Sequence, residues 1–481
     1  MKRILLLLLF TLPLALAAQQ QATLLGEWND PSLVGSNFYD NTYNEVWGLA
    51  INGYEYAVVG STAGTHFIDV TDPTQVFEAH FVPGAFQGGG VIHRDYHDYQ
   101  GYLYAVCDEG PSTMQIIDIR NLPSSVEVDY DSGEVIRQAH NIVIDTANAK
   151  LYALAMNSNQ GGAAAMRIVD ISSPLNPIPL GSYNNFGGLV VGHVHDAYVR
   201  DGIAFLNCGG SGFAIVDFSS PLNPQTLRTL TDYPFRGYNH SGWLSDDGQY
   251  YYMADETHGA DMKVIDVSNP CEIEVVGTFN AEVANPRSIP HNQIAACGYL
   301  YASYYYDGFV VFDISDPSSP EKVLFYDTYD EPDGSSYKGA WGIYPFLPSG
   351  NILVLDMQSG LLVFEGMNDN CAATQELAPV DLSCLGINAA TEREGVERLE
   401  VFPQPTSGTL NIRFELVEGQ GKVNVQLLNI NGRPAQRFGS VQLQPGANQL
   451  RYKLSPALPA GVYLLQLQGE GWNAVRRVVV Q

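Results

Sequence analysis

Six cysteines in 481 residues, with no Cys-x-x-Cys pair among them, exclude a disulfide scaffold and give no sign of a cysteine-built zinc site. Basic residues are also few: 24 lysines and arginines face 52 acids, a formal charge of −28. A duplex phosphate backbone would be repelled, which excludes nucleic acid as a partner and leaves cations attracted. Beyond the start of the chain no stretch approaches the ~20 continuous apolar residues of a membrane-crossing helix, so no transmembrane helix is expected. Helical periodicity is almost missing. So are the common catalytic and metal signatures: there is no His-Glu-x-x-His, no Gly-x-Ser-x-Gly elbow and no EF-hand loop. The glycine-rich segments GAFQGGG and NCGGSG do not open helices, so they are not phosphate cradles.

What is present is a repeat. An apolar run ending in an acid and followed by a turn occurs as HFIDVTDP, MQIIDIRNLP, MRIVDISSP, FAIVDFSSP, MKVIDVSNP, FVVFDISDP and, last, LLVFEGMN. The anchoring acids are Asp69, Asp118, Asp170, Asp217, Asp266, Asp313 and Glu365, spaced 47–52 residues apart. A period of that size belongs to propellers or solenoids. Each unit holds four short β-like runs, as in VWGLAI, EYAVVGS, THFIDV and VFEAHFV, and four strands make one propeller blade. The acid and the Ser/Asp-x-Pro after it read as turn chemistry leading into the fourth strand, with the side chain capping the turn rather than binding calcium.

The seventh copy lacks a fourth strand, and ATLLGEWNDP at residues 22–31 resembles the fourth-strand texts of the other copies. The fold expected is therefore all-β: a seven-bladed β-propeller of four-stranded blades over 22–367, its seventh blade closed by N-terminal chain. A linker (368–397) and a small Ig-like β-sandwich (398–481) follow. Residues 1–18, MKRILLLLLFTLPLALAA, read as an export signal. Cys371 and Cys384 lie close in a segment with little core of its own and are expected to pair.

In a blade the first strand lines the channel. The seven first-strand starts read EVWG, HRDY, AHNI, GHVHDA, YNHSGW, PHNQ and GAWG. They bring His93, His140, His195, His240 and His291, with Trp47 and Trp341 in the remaining two blades, to one channel mouth. Loops on that face add Asp108, Glu109, Asp255, Glu256 and His258. Imidazoles and carboxylates converging on one opening can hold a divalent metal such as calcium or zinc, with His193, His195, His240, His291, Asp255 and Glu256 as candidate ligands. His193 and His195 at a strand start are expected to point their rings the same way. The same histidines can equally be blade packing or a metal-free ligand site.

The repeated Val-Asp-x-Ser-x-Pro phrase resembles the LVIVD-repeat proteins. YNHSGWLSDDGQYYYMADE, IPHNQIAACGYLYASYYYDGFVVFDIS and KGAWGIYPFLPSGNILVLDMQSGLLVFE are similar to the choice-of-anchor B family of exported propellers. The tail, LEVFPQPTSGTLNIRFE through LPAGVYLLQLQGEG to AVRRVVVQ, resembles the C-terminal sorting domain of the type IX secretion system of Bacteroidetes. Pro403, Pro405, Gly408, Gly432, Gly461 and Tyr463 match its motif. This resemblance implies the type IX machinery as a partner and an extracellular or surface-attached location. The function expected is a monomeric binding module for protein or glycan; the alternative is a hydrolase or lyase with a His/carboxylate or metal-assisted site at the channel mouth.

Overall fold

The computed structural model describes residues 20–282, 287–334, 336–367, 371, 375–385, 396–402, 406, 408–416, 421–429, 434–456, 458–459, 461–469 and 472–480. The export signal at 1–18 lies outside them, as do Pro403, Pro405 and Gly432 of the sorting motif. The chain divides into two compact units, Met1–Val380 and Asp381–Gln481. Among the described residues helix is confined to Cys371 and a 3-10 turn at Ser383–Leu385, and no helix is long and apolar enough to cross a membrane.

Among the described residues, unit one is, besides a separate short hairpin of Asn185–Phe186 and Leu189–Val190, a ring of seven sheets, six of four antiparallel strands and one of five. Their first strands are Tyr43–Ile51, Arg94–Tyr99, Asn141–Asp145, Asp196–Arg200, Asn239–Leu244, Gln293–Ala296 and Ala340–Tyr344. Each contacts the next, and the seventh contacts the first. Blade seven takes its outer strand from the N-terminal chain: Leu24–Trp28 pairs antiparallel with Gly360–Phe364. Just upstream, Gln20–Gln21 runs parallel to Glu321–Tyr326 of blade six, so the N-terminal segment ties two blades.

Burial follows strand position. Tyr102–Cys107 and Met114–Asp118, the second and third strands of blade two, are buried at every residue, whereas its fourth strand, Glu127–Ser132, is exposed or half-buried throughout. Middle strands covered on both faces by neighbouring blades need continuous apolar runs, and these are the runs that repeat in the sequence. Tyrosines fill the gaps between blades, with Tyr56, Tyr104, Tyr152, Tyr251, Tyr252 and Tyr301 all fully buried.

The recurrent aspartates perform the turn chemistry. Asp69, Asp118, Asp170, Asp217, Asp266 and Asp313 each accept a hydrogen bond from the backbone N–H two residues on, at 2.7–3.0 Å. That bond closes the corner into the fourth strand without another backbone acceptor.

The cysteine pairing departs from expectation. Cys371 is bonded to Cys297, and not to Cys384: Cys371 packs with Ala296 and Tyr301 of blade six, and Cys297 sits in the turn after Gln293–Ala296. Cys107 and Cys208 are buried and reduced. A Cys297→Ser/Cys371→Ser variant is expected to lose about 2–5 kcal/mol of stability, read by denaturant unfolding. A loss under about 0.5 kcal/mol would show that the tether adds nothing to the ring.

Unit two contains a three-stranded sheet (Val396–Phe402, Thr409–Leu416, Gly446–Lys453) and a four-stranded sheet (Pro434–Leu443, Gly421–Asn429, Gly461–Gly469, Trp472–Val480). Leu410, Ile412 and Phe414 of the first share a buried core with Val423, Val425, Leu427, Leu465 and Leu467 of the second, making a β-sandwich. Tyr463 is buried in that core, and its hydroxyl donates to the Pro459 carbonyl at 2.8 Å.

Candidate functional site

A backbone irregularity at the channel end of three first strands aims one residue of each. In blade five Asn239 pairs with Asp255 and Ser241 with Ala254, leaving His240 as the extra residue. The same shift brackets Trp341 in blade seven and Asn44 in blade one. A β-bulge of this kind re-aims a side chain at the rim of a ring. His93, His140 and His195 each immediately precede their first strand, and His291 precedes its own by two residues.

The result is a closed collar of six rings. Centroid separations are 4.5 Å for His93 to His140, 4.2 Å for His140 to His195, 4.1 Å for His195 to His240, 4.6 Å for His240 to His291, 4.3 Å for His291 to Trp341 and 5.2 Å for Trp341 to His93. Blade one contributes no ring. Its bulge residue Asn44 is fully buried and stands against Gly60, where a Cβ would come within 2.3 Å of its Oδ1. Tyr39, Tyr305, Tyr337 and Glu256 join the collar around a cavity of about 120 Å³.

Trp47 is not part of this mouth. It lies three residues beyond Asn44, packs against His97 with ring centroids 4.3 Å apart and tilted by 37°, and donates its indole N–H to Asp98 at 2.9 Å. There it lines a second cavity of about 390 Å³, together with Tyr198, Arg200 and Trp243. Glu45, Asp95 and Asp196 also face that cavity. Burial pushes Asp95 and Asp196 up to about 7 and Glu45 well above the usual carboxylate range.

Three other candidates also lie away from the mouth. Asp255 is wholly buried and committed to Lys263 Nζ at 2.9 Å, and it accepts further bonds from the Tyr233 hydroxyl and the Gly237 N–H. Its carboxylate is thus already paired within the blade and does not line the mouth. The His193 ring stands 6.1 Å from that of His195, is hydrogen-bonded through Nε2 to the Tyr238 hydroxyl, and does not line the mouth. Because the first strand of blade four begins only at Asp196, strand alternation does not align the two rings. His258 also turns away, bonding the Arg287 carbonyl through Nδ1 at 2.8 Å.

Second-layer oxygens orient the collar. Nδ1 of His93 is 2.7 Å from Glu109 Oε1, Nδ1 of His140 is 2.9 Å from Asp108 Oδ2, and Nδ1 of His291 is 2.7 Å from the Trp341 carbonyl. Carboxylates and carbonyls only accept, so each Nδ1 is the donor, and wherever the ring is neutral Nε2 keeps its lone pair. Burial holds His93 low, the neighbouring His140 adding to the effect. Burial likewise holds His195 and His240 well below the usual histidine value and takes His291 down to about 3. His140 is the exception: burial opposes its charged form, but the bond to Asp108 and the surrounding acids outweigh it and raise its pKa. At neutral pH the collar is thus mostly neutral imidazole.

This charge state has a measurable consequence. As pH falls below 6.5 the unfolded chain takes up a proton that folded His291 refuses until about 3, so stability is lost in that window. At about 1.4 kcal/mol per unit, the wild type should lose about 2 kcal/mol more than His291→Gln between pH 7 and pH 5 in chelator-treated buffer. Parallel stability–pH curves for the two proteins would show that His291 is charged in the fold.

Tyr39 and Tyr337 carry no signal in the repeat, and the ASYYYDG run that holds Tyr305 suits either ring stacking or blade packing. Tyr39 comes from an irregular segment outside the repeat, and Tyr337 from the long loop before blade seven. Tyr305 lay in a visible Tyr-Tyr-Tyr run, but its inward direction depends on the isolated bridge between Tyr305 and Ala340. The second cavity was also missed, since its carboxylates sit deeper along the first strands than the mouth.

Fold and mouth together define a β-propeller built from a repeated blade, with its rings gathered at one end of the channel. The blades carry LVIVD repeats, matched at residues 163–185, 242–281 and 294–328, and residues 400–481 match the secretion system C-terminal sorting domain. The sorting domain implies export by the type IX system to the cell surface or the extracellular space. No curated protein matches the chain. Among solved structures it is similar to the β-propeller domain of Cps50 (Swd1) from Myceliophteria thermophila, at 10% identity and a TM-score of 0.42, covering 65% of this chain and 94% of that one. It is also similar to YCF48 bound to D1 peptide, at 10% identity and a TM-score of 0.47, covering 72% and 98%.

Proposed function

We propose that this secreted propeller is a binding module, displayed at the cell surface or released, that recognises a protein or glycan at the histidine-lined mouth. The observation that carries the reading is the collar itself. Six rings from six blades close on one another around a small cavity, an arrangement that blade packing alone does not require. About 120 Å³ admits the end of a ligand, a side chain or the edge of one sugar, and not an extended chain. Tyr39, Tyr305 and Tyr337 supply flat faces with polar tips, which suit either. A hydrolase or lyase at the same opening is favoured by one observation, the Glu256 carboxyl beside His240, which burial pushes up to about 7.

The test is capture by the full-length chain on arrays of glycans and synthetic peptides, with the His240→Ala/His291→Ala variant alongside. Capture that is lost in the variant, with the captured molecule chemically unchanged, is the expected result. An identical capture profile in both proteins would remove the mouth from the function. Conversion of a captured molecule that stops in Glu256→Gln would make the protein an enzyme.

A further inference from the structure

We propose that the mouth holds one divalent transition-metal ion, zinc by its donor set, between His240, Glu256 and His291, with a coordination position left open to an oxygen atom of the ligand. This rests on the mouth being the recognition site and supplies the chemistry by which it recognises.

One ligand atom from each of the three residues falls within 4.8 Å of the others. Nε2 of His240 faces Glu256 Oε1 at 3.9 Å, too far for a hydrogen bond. Bonds of ~2.0–2.1 Å to a tetrahedral zinc place ligand atoms ~3.3 Å apart, so a small inward movement of either side chain suffices. His240 is only 3% exposed and its Nδ1 is buried without a hydrogen-bond partner. With Nδ1 unpartnered and Nε2 standing 3.9 Å from the carboxylate, an ion taken up at Nε2 would supply this buried imidazole with a strong polar contact.

The surroundings fit a metal's outer shell. His291 gives its Nδ1–H to the Trp341 carbonyl, which fixes the tautomer that presents Nε2. The Tyr305 hydroxyl donates to Glu256 Oε1 and orients the carboxylate. Two imidazoles and one carboxylate are too few oxygens for calcium, which takes six to eight. They match three-ligand zinc sites that keep an open position, and the same set also accepts iron(II). The second His/Asp cluster, His93, Asp108 and His140, is a weaker cage, because Asp108 is already occupied by His140 Nδ1–H.

The experiment uses the full-length chain, stripped with chelator, loaded with Zn²⁺, dialysed against metal-free buffer and assayed by elemental analysis. Co²⁺ loading provides a spectrum that reports nitrogen and oxygen ligation. About one zinc per chain is expected to be retained. His240→Ala, His291→Ala and Glu256→Gln should each weaken zinc affinity by about tenfold or more, while His193→Ala should not. Near-UV circular dichroism and unfolding midpoints in chelator establish that each variant is folded, and the isosteric Glu256→Gln with the wild-type Co²⁺ spectrum decides the matter if the alanine variants are not. Retention well below one zinc, or retention indifferent to all three substitutions, would mean an adventitious ion only and overturn the proposal. Capture that persists in chelator but is lost in His240→Ala/His291→Ala would remove the metal and leave the binding module standing. Stoichiometric zinc with capture unaffected would do the reverse.

Discussion

Replacing Lys263 by Met is expected to destabilise the propeller by about 3–5 kcal/mol. Lys263 and Asp255 form an ion pair in which both side chains are 0% exposed, and the ammonium also donates to the Phe235 carbonyl. Methionine fills similar volume but leaves the carboxylate buried without its counter-charge. Removing one partner of such a pair costs far more than replacing both. Asp255→Asn in the Lys263→Met background should therefore recover a large part of the loss. The effect reaches the mouth, because Asp255 directly precedes Glu256 and accepts from the Gly237 N–H in the loop leading to His240. Urea unfolding of the single and double variants measures it. A loss below about 1 kcal/mol for Lys263→Met would mean that water reaches the pair.

Deleting residues 20–28 should open the ring. Blade seven would keep three strands, and Gly360–Phe364 would become an unpaired edge. Trp28, which packs against Tyr43 at 5.9 Å and His66 at 5.1 Å, would be lost together with Ala22 and Leu24. At about 1.5–3 kcal/mol for each of the two large apolar side chains, Trp28 and Leu24, the loss is on the order of 3–6 kcal/mol. An exposed central-type strand also invites pairing between molecules. Thermal unfolding and sedimentation of the truncated chain should show a much lower midpoint and association. A monomer melting within about 2 °C of wild type would show that blade seven closes without its N-terminal strand.

Architecture was legible where the chemistry repeats. The aspartates at third-strand ends are visible because six of them perform one local task, and LLGEW could be placed in blade seven because fourth strands share a text. Side-chain direction was harder to read. GAWG and EVWG look alike, yet Trp341 is the extra residue of a bulge while Trp47 lies three residues past the equivalent Asn44. An inserted residue changes which face every later side chain takes, and similarity of text does not reveal it. Asp255 and Glu256 are neighbours with opposite fates for a related reason: successive residues at a strand end point to opposite sides, one to Lys263 and one to the mouth. The oxygens that orient the collar include a backbone carbonyl, that of Trp341, which no side-chain pattern could announce.

Nitrogen-15 NMR of histidine-labelled full-length protein, metal-free at pH 7, tests the collar most directly, because imidazole shifts report both charge and tautomer. The account predicts neutral rings protonated on Nδ1 for His93 and His291, with His140 alone among the five collar histidines titrating above the usual value. Imidazolium signals for His93 and His291 at neutral pH, or neutral rings protonated on Nε2, would contradict it: the lone pairs that make the mouth a binding site would then be absent.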